Sequence, residues 1–114
     1  MKLVNLTPYP IILYGAEGVS TLNPSGQVVT IAASQETVDT VEGVAVIRDV
    51  FYGIHQIPEP EDGTIYLVSS LVLAALRDAG STRTDVLCAA TGRRDGAVLG
   101  ARGEILGVTR LRAL

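Results

Sequence analysis

The sequence predicts an α+β domain, in which a mostly antiparallel sheet or small open barrel packs against a single helix. The longest apolar run, residues 63–80 (GTIYLVSSLVLAALRDAG), holds the one convincing helical pattern. Short aliphatic and β-branched runs separated by turn residues stand on either side of it, which is typical of strands. A chain of 114 residues has the size of one domain, so we expect residues 1–114 to form a single unit.

The region before the helix is predicted to form short strands joined by turns. Residues 1–6 alternate weakly in polarity, and NLTPYP (5–10) then turns a corner, because Pro8 and Pro10 fix their own φ and keep the preceding residues extended. The polar stretch SQETVDT (34–40) is interpreted as a solvated connection. The other strands predicted in this region are residues 11–14, 19–22, 27–32 and 43–50.

The helix is predicted over about residues 69–79, directly after a β-branched strand at 64–68. Ser69 or Ser70 suits the N-cap, and Gly80 suits the position just past the last turn. The apolar residues recur at helical spacing, so one face of the helix should pack against the sheet. The strands predicted after the helix are residues 85–89, 97–99 and 104–111, the last two forming a hairpin.

The composition points to a soluble protein with a covered face. Charged residues make up 18% of the chain, below the roughly 25% of typical domains, so we expect a homo-oligomer or a face that a partner covers. Cys88 is the only cysteine and lies in an apolar run, which is typical of a buried, unpaired thiol. The apolar part of the helix, about 12 residues, is shorter than the roughly 20 of a membrane span, and we expect a cytoplasmic protein.

The charges are divided unevenly along the chain. Residues 1–76 carry two basic residues against eight acids, whereas residues 77–114 carry seven arginines against four acids. Two turns in the second part, TGRRDG (91–96) and GARG (100–103), combine glycines with arginines. Such turns let backbone amides and guanidinium groups approach an anion, although solvated hairpin turns have the same composition. The predicted ligand-binding residues are Arg83, Thr91, Arg93, Arg94 and Arg102, with Asn5 and Thr7 as supporting polar contacts.

Motifs of known chemistry are missing from the sequence. It contains neither a GxxxxGK[ST] loop nor a GxGxxG fingerprint, and no GxSxG elbow supports a Ser-His-Asp set. His55, the only histidine, lies among apolar residues as a structural histidine does, and one histidine with one cysteine cannot build the usual zinc sites. The net charge of −3, with no aromatic residues among the arginines, argues against nucleic-acid binding. We therefore expect no enzyme activity, no cofactor, no metal and no nucleic-acid or membrane partner.

Several short motifs resemble a family of small, mostly uncharacterised proteins from bacteriophages, prophages and bacterial genomes that open with an NLTPH-type motif. Here the motif is NLTPYP, with Tyr9 where the family often has histidine. The resemblance implies a phage or mobile-element setting and implies no activity. The other motifs that carry it are PSG (24–26), GTIYLVSSLVLAAL (63–76), TDVL (84–87), TGRRDGAV (91–98) and GEILGVTRL (103–111).

Two functions agree with these observations. The first is a non-catalytic, phage-type binding protein that sequesters or docks a partner in a counter-defence role, in the host cytoplasm. Its sharper form binds an anionic small molecule such as a nucleotide through the arginine-rich turns. The alternative is a virion or assembly component that acts through self-association.

Overall fold

A computed structural model describes residues 1–53 and 56–114 of the chain. Within these residues the fold is α+β, with one helix and four separate sheets, none of them closed into a barrel. In chain order the elements are β1 (Lys2–Asn5), β2 (Ile11–Gly15), β3 (Gly18–Leu22), β4 (Ala32–Val41), β5 (Val44–Tyr52), β6 (Thr64–Val68), α1 (Ser70–Asp78), β7 (Val86–Ala89), β8 (Val98–Leu99), β9 (Ile105–Gly107) and β10 (Leu111–Arg112).

The central sheet has four strands in the order β1-β6-β7-β10. β6 pairs in parallel with both β1 and β7, and β10 pairs with β7 in the antiparallel direction. Parallel neighbours need a crossover connection, and α1 supplies the one between β6 and β7. The pairs β2–β3, β4–β5 and β8–β9 are antiparallel, in line with the predicted class, although the β4–β5 pair was not predicted. The sheet that carries the core is mixed.

The helix is confirmed close to its predicted bounds. The Ser69 hydroxyl accepts a hydrogen bond from the Val72 amide at 3.2 Å, which caps the first turn. At the other end Gly80 has a φ of +75°, and the amides of Gly80 and Ser81 donate to the carbonyls of Arg77 and Leu76. This is the glycine-dependent ending that the sequence predicts. Among the described residues, no helix combines the length and apolar character that crossing a membrane requires.

β6 lies at the centre of the molecule and is buried on both faces. Tyr66 and Val68 share one face, Leu67 lies on the other, and each of the three is at least nine-tenths buried. A central parallel strand covered on both sides is expected to read as a continuous apolar run, as this one does. The buried apolar cluster consists of Leu6, Val29, Ile57, Tyr66, Val68, Val72, Leu73, Leu76, Val86 and Cys88.

The corner after β1 is built around the Asn5 side chain, which is 1% exposed. Its Nδ2 group donates to the carbonyls of Tyr9 at 2.8 Å and Leu22 at 3.0 Å. Its Oδ1 atom accepts from the amide and hydroxyl of Thr7 at 2.9 and 2.7 Å. The Asn5 carbonyl in turn accepts from the amide and hydroxyl of Ser25. The predicted corner is therefore held by one buried amide that ties β1 to the end of β3.

β4 and β5 form a two-stranded hairpin of their own, which we call the arm (residues 32–52). Every residue of β4 is exposed, and so are all but two residues of β5. Glu42 and Gly43 have φ values of +50° and +80°, which is the type I′ turn preferred in tight hairpins. The interpretation of residues 34–40 as a connection was wrong. Both faces of this strand are exposed to solvent, so its sequence shows no alternation of polarity that would have indicated a strand.

The predicted strand at 27–32 was also wrong over most of its length, since strand structure begins at Ala32. Val29 in this segment is buried, and its amide donates to the Leu6 carbonyl at 3.0 Å. The apolar pattern of the segment therefore reflects burial against the corner and not membership of a sheet.

The strand predicted at 104–111 was wrong beyond Gly107, because Leu111 begins β10, which pairs with β7 in the central sheet. The C-terminal hairpin itself is confirmed by the pairing of β8 with β9. It docks on β2, where the Val108 amide donates to the Ile12 carbonyl and the Tyr14 amide donates to the Val108 carbonyl, both at 2.9 Å. The Tyr14 ring lies directly over buried Gly107, so closely that a Cβ atom at that position would collide with it. The docking of this hairpin thus depends on a glycine at 107.

Candidate functional site

The polar residues that follow the three parallel strands meet at one edge of the central sheet. Because β1, β6 and β7 run in the same direction, their carboxyl ends lie together. A cleft of about 420 Å³ opens there, which we call the carboxyl-edge cleft. Its lining consists of Thr7, Pro8, Tyr9, Ile11, Val29, Thr30, Ile31, Val68, Ser69, Ser70, Leu71, Ala89 and Thr91.

The carboxyl-edge cleft combines apolar walls with hydroxyl groups. Thr7 comes from the segment after β1, Ser69 and Ser70 follow β6, and Thr91 follows β7. The chain leaves the sheet at the carboxyl ends of these strands and exposes loop residues and a helix end there. Open α/β sheets bind ligands at such ends where the strand order reverses, and the order β1-β6-β7-β10 has no reversal. No protein-family model, curated protein or solved structure matches the chain. The cleft is therefore interpreted from its own residues.

The first turn of α1 borders the carboxyl-edge cleft and gives it a positive character. Ser70 and Leu71 line the cleft, and the amides of a first helical turn have no partner within the helix. These amides and the helix dipole attract anions, typically by 0.3–1 kcal/mol for an exposed charge. Since Ser69 already caps the Val72 amide, the hydroxyl of Ser70 is the better placed of the two serines to contact a ligand.

Thr91 joins the carboxyl-edge cleft to two smaller ones. The first, of about 330 Å³, is lined also by Arg77, Asp95 and Arg112. The second, of about 300 Å³, is lined also by Arg93 together with Leu99, Gly103 and Ile105. The structure thus brings the predicted residue Thr91 to the meeting point of three depressions, with arginines in the two that flank the main cleft.

The arginine-rich turns are arranged differently from the prediction. In the first turn, the Gly92 amide donates to the Asp95 carboxylate at 2.7 Å. In the second, the Arg102 amide donates to the Glu104 carboxylate at 2.9 Å. In each turn, a carboxylate of the chain itself therefore accepts the hydrogen bond of a backbone amide. An external anion would need that same amide. The side chains of Arg93, Arg94 and Arg102 are exposed around these filled turns.

The pairing of Asp95 with Arg112 reinforces the first of these turns. The two side chains form an ion pair, and hydrogen bonding to Arg112 lowers the pKa of Asp95 from its ordinary value. Asp95 also accepts a hydrogen bond from the Gly92 amide, so its carboxylate is the anion that this turn binds. Arg112 is thereby partly neutralised, which leaves Arg77 as the stronger cation of the 330 Å³ cleft.

Arg83 is not brought to the other predicted ligand residues. It precedes β7 and Thr91 follows it, so the two lie at opposite edges of the central sheet. Arg83 forms a two-point ion pair with Asp85, with both nitrogen–oxygen distances at 2.8 Å. The hydrogen bond between them lowers the pKa of Asp85 and raises that of Arg83. Arg83 is thus the partner of Asp85 at the amino ends of the parallel strands.

Asn5 and Thr7 differ in what they offer to a ligand. An amide side chain has two donor hydrogens and two acceptor lone pairs, and Asn5 uses all four within the corner. Asn5 therefore shapes the cleft from beneath without contacting its contents. Thr7 lines the cleft, and its hydroxyl donates to Asn5.

Of the two residues considered for nucleophilic chemistry, Cys88 is described by the structure and is not part of the carboxyl-edge cleft. Cys88 is buried as predicted, and burial raises the pKa of its thiol. His55 lies outside the described residues.

Sequence reasoning missed the contribution of Ser69, Ser70, Tyr9 and Leu71, which it treated as capping, corner or packing residues. The signal was present, since hydroxyl residues follow three predicted strands. It acquires meaning only when those strands are known to be parallel.

Proposed function

We propose that the protein is a non-catalytic binding protein that holds an anionic small molecule of the nucleotide class in the carboxyl-edge cleft. The observation that carries this proposal is the meeting of Ser70, Leu71 and Thr91 around one cleft at the N-terminus of α1. Hydroxyl groups and helix-terminal amides hold an anion by hydrogen bonds. The apolar walls formed by Ile11, Ile31 and other residues suit a flat, weakly polar ring such as a nucleobase.

The arginines act on such a ligand from the flanks. Arg77 lies in the cleft that shares Ser70 and Thr91 with the main one, so a phosphate bound near Ser70 is exposed to its field. Arg93 approaches from the other side through Thr91. The resemblance to NLTPH-type proteins supports a phage or prophage setting, in which such a protein sequesters a host nucleotide signal.

Thermal denaturation with a panel of mono-, di- and cyclic nucleotides tests the proposal, with nucleosides and inorganic phosphate as partial probes. A ligand at ten times its Kd adds about 1.4 kcal/mol to the free energy of unfolding. For a domain of this size, that raises the melting temperature by roughly 5 °C. We expect a nucleotide to give such a shift at millimolar concentration or below. A flat response to the whole panel contradicts the proposal.

Leu71→Glu is the variant that locates the site. Leu71 is 46% exposed, so a carboxylate there places negative charge at the cleft without opening the core. We expect the nucleotide shift to vanish in Leu71→Glu and to persist in the control Val19→Glu, which alters a 62% exposed residue of β3. Arg94→Ala separates two versions of the site, because it abolishes the shift only if the arginine-rich turns bind the phosphate.

A second candidate function, a virion or assembly component acting by self-association, is supported by a different region. The arm extends from the molecule as a two-stranded hairpin with its apolar residues exposed. An isolated two-stranded hairpin is marginally stable in water, which favours a partner for it.

A further inference from the structure

The arm carries an apolar tip that the other described residues of its chain leave uncovered. Val41 and Val44 flank the turn as a cross-strand pair and are 55% and 67% exposed. Val46 and Ile47 follow on β5 and are also exposed. Asp39 and Glu42 stand beside these valines, and the Asp39 carboxylate accepts only the neighbouring Thr40 amide among the described contacts. The tip is thus a small apolar surface edged by acids.

The exposed area of the molecule is larger than that of a compact monomer of the same mass. The accessible surface is 7725 Å², whereas a compact monomer of 12.0 kDa exposes roughly 6,000 Å². The excess is about twice the roughly 800 Å² that each partner contributes to a standard protein–protein interface. The radius of gyration, 16.3 Å against roughly 13 Å for a compact chain, shows the same extension. Two contacts of standard size on each chain, one of them made by the arm, would account for the extra exposed area.

Charge identifies what covers the arm. Residues 32–52 carry four acids and one arginine, a net charge of −3, whereas residues 91–112 carry five arginines and two acids, a net charge of +3. Within the second region, the cleft of about 300 Å³ is lined by Leu99 and Ile105, with Arg93 beside them. Leu99 and Ile105 are about half exposed. An apolar cleft next to cations is therefore the complement of an apolar tip next to acids.

We infer that the tip of the arm binds in the Leu99–Ile105 cleft of a second copy of this chain. Val41 and Val44 enter the cleft, and Asp39 and Glu42 approach the arginine-rich turns of that copy. The contact joins two different surfaces, so it propagates from copy to copy into a ring or a filament. This inference rests on the second proposed function, self-association. The Leu99–Ile105 cleft shares Thr91 with the carboxyl-edge cleft, so association is measured without nucleotide.

Sedimentation velocity of the full chain, from micromolar to near-millimolar concentration, tests both self-association and the proposed contact of the arm with the Leu99–Ile105 cleft. We expect the wild type to form larger species as concentration rises, and to dissociate in about 1 M salt, where charges are screened beyond about 3 Å. The arm variant Asp39→Lys/Glu42→Lys and the turn variant Arg93→Glu/Arg94→Glu each place like charges together. Each should weaken association by about tenfold or more. The controls Glu17→Lys and Lys2→Glu change exposed charges elsewhere and should associate as the wild type does.

Mixing the two charge-reversed variants gives the sharpest result. Each retains one native surface, and their reversed surfaces are complementary to each other, so the mixture should associate although each variant alone does not. If the wild type associates but the arm variant does so equally well, self-association stands and the arm contact is wrong. If only the arm variant loses association, the arm binds a surface other than the arginine-rich turns and the inference is overturned. A wild type that is monomeric at every concentration overturns both self-association and the arm contact.

Discussion

The central sheet and the arm are both built from extended chain, yet they differ in what covers their side chains. In β6, Tyr66, Leu67 and Val68 are buried on both faces, and parallel strands lie on either side. In the arm, β4 is exposed throughout, and the valines of β5 up to Val46 are exposed as well. The central sheet therefore owes its stability to burial within the chain, whereas the arm has mainly its own hydrogen bonds and turn.

This difference separates two uses of the same secondary structure. The buried sheet fixes the positions of the loops that follow its strands, and these loops form the carboxyl-edge cleft. The arm contributes little to that framework and leaves apolar area available for a partner. Changes in the sheet should therefore act on folding, and changes in the arm on association.

The largest expected effect comes from truncating the same kind of side chain in each region. Leu67 is 0% exposed, so Leu67→Ala should lower the free energy of unfolding by about 2–5 kcal/mol, through lost burial and the cavity left behind. Ile47 in the arm is 50% exposed, and Ile47→Ala should change the free energy of unfolding by about 0.5 kcal/mol or less. Urea denaturation at low protein concentration measures both. Equal losses would show that the arm is packed against the rest of the chain.

A smaller effect is expected from removing one amide side chain in each region. Asn5→Ala leaves the carbonyls of Tyr9 and Leu22 without their donor in the corner, and should cost roughly 2 kcal/mol. Gln35→Ala, its counterpart in the arm, removes an exposed amide and should cost roughly 0.5 kcal/mol or less. The same denaturation measurement applies. An Asn5→Ala variant as stable as the wild type would show that the corner does not depend on this network.

The smallest effect is expected at the ion pairs, and it depends on pH. The pKa of Asp85 is lowered by its hydrogen bond from Arg83, so the pair stabilises the fold above the ordinary aspartate pKa and loses that contribution as pH falls through the lowered value. Arg83→Met should cost up to about 1 kcal/mol at neutral pH and nothing once Asp85 is protonated.

The matching pair in the arm, Arg48 with Glu36, provides the control. Both side chains are more than half exposed, so Arg48→Met should have no measurable effect at any pH. Unfolding free energies measured from neutral to acidic pH compare the two variants. A cost for Arg83→Met that stays constant down to the lowest pH would mean that the side chain acts through packing and not through its charge.

Local signals allowed the sequence to predict some elements almost to the residue. The helix and the strand before it, residues 64–79, were predicted because capping serines, a terminal glycine and β-branched residues act within a few positions of each other. The pairing of the C-terminal hairpin was also predicted from its turn residues, although its second strand is shorter than predicted. β4 was missed because polarity alternates along a strand only when one face is buried. Both faces of this strand are exposed to solvent, so its sequence does not alternate.

The candidate site was predicted only in fragments. Thr91 and Thr7 were selected from the sequence and do line the carboxyl-edge cleft, whereas Arg83 lies at the far edge of the sheet. The glycine–arginine turns were correctly seen as turns, but the sequence did not show that Asp95 and Glu104 occupy their amides. Each error concerns which side chains lie close together in the folded chain, and not which residue types are present.

The sequence by itself determined the α+β class, the single helix among the described residues and the separation of an acidic part (residues 1–76) from an arginine-rich part (residues 77–114). These follow from propensities, caps and composition, which act locally or summed over the chain. Only the tertiary structure decided that β1, β6 and β7 run in parallel and that the arm stands apart from the sheet. The direction of strand pairing is set by contacts between residues about 60 positions apart, as between β1 and β6, and no local pattern encodes such contacts.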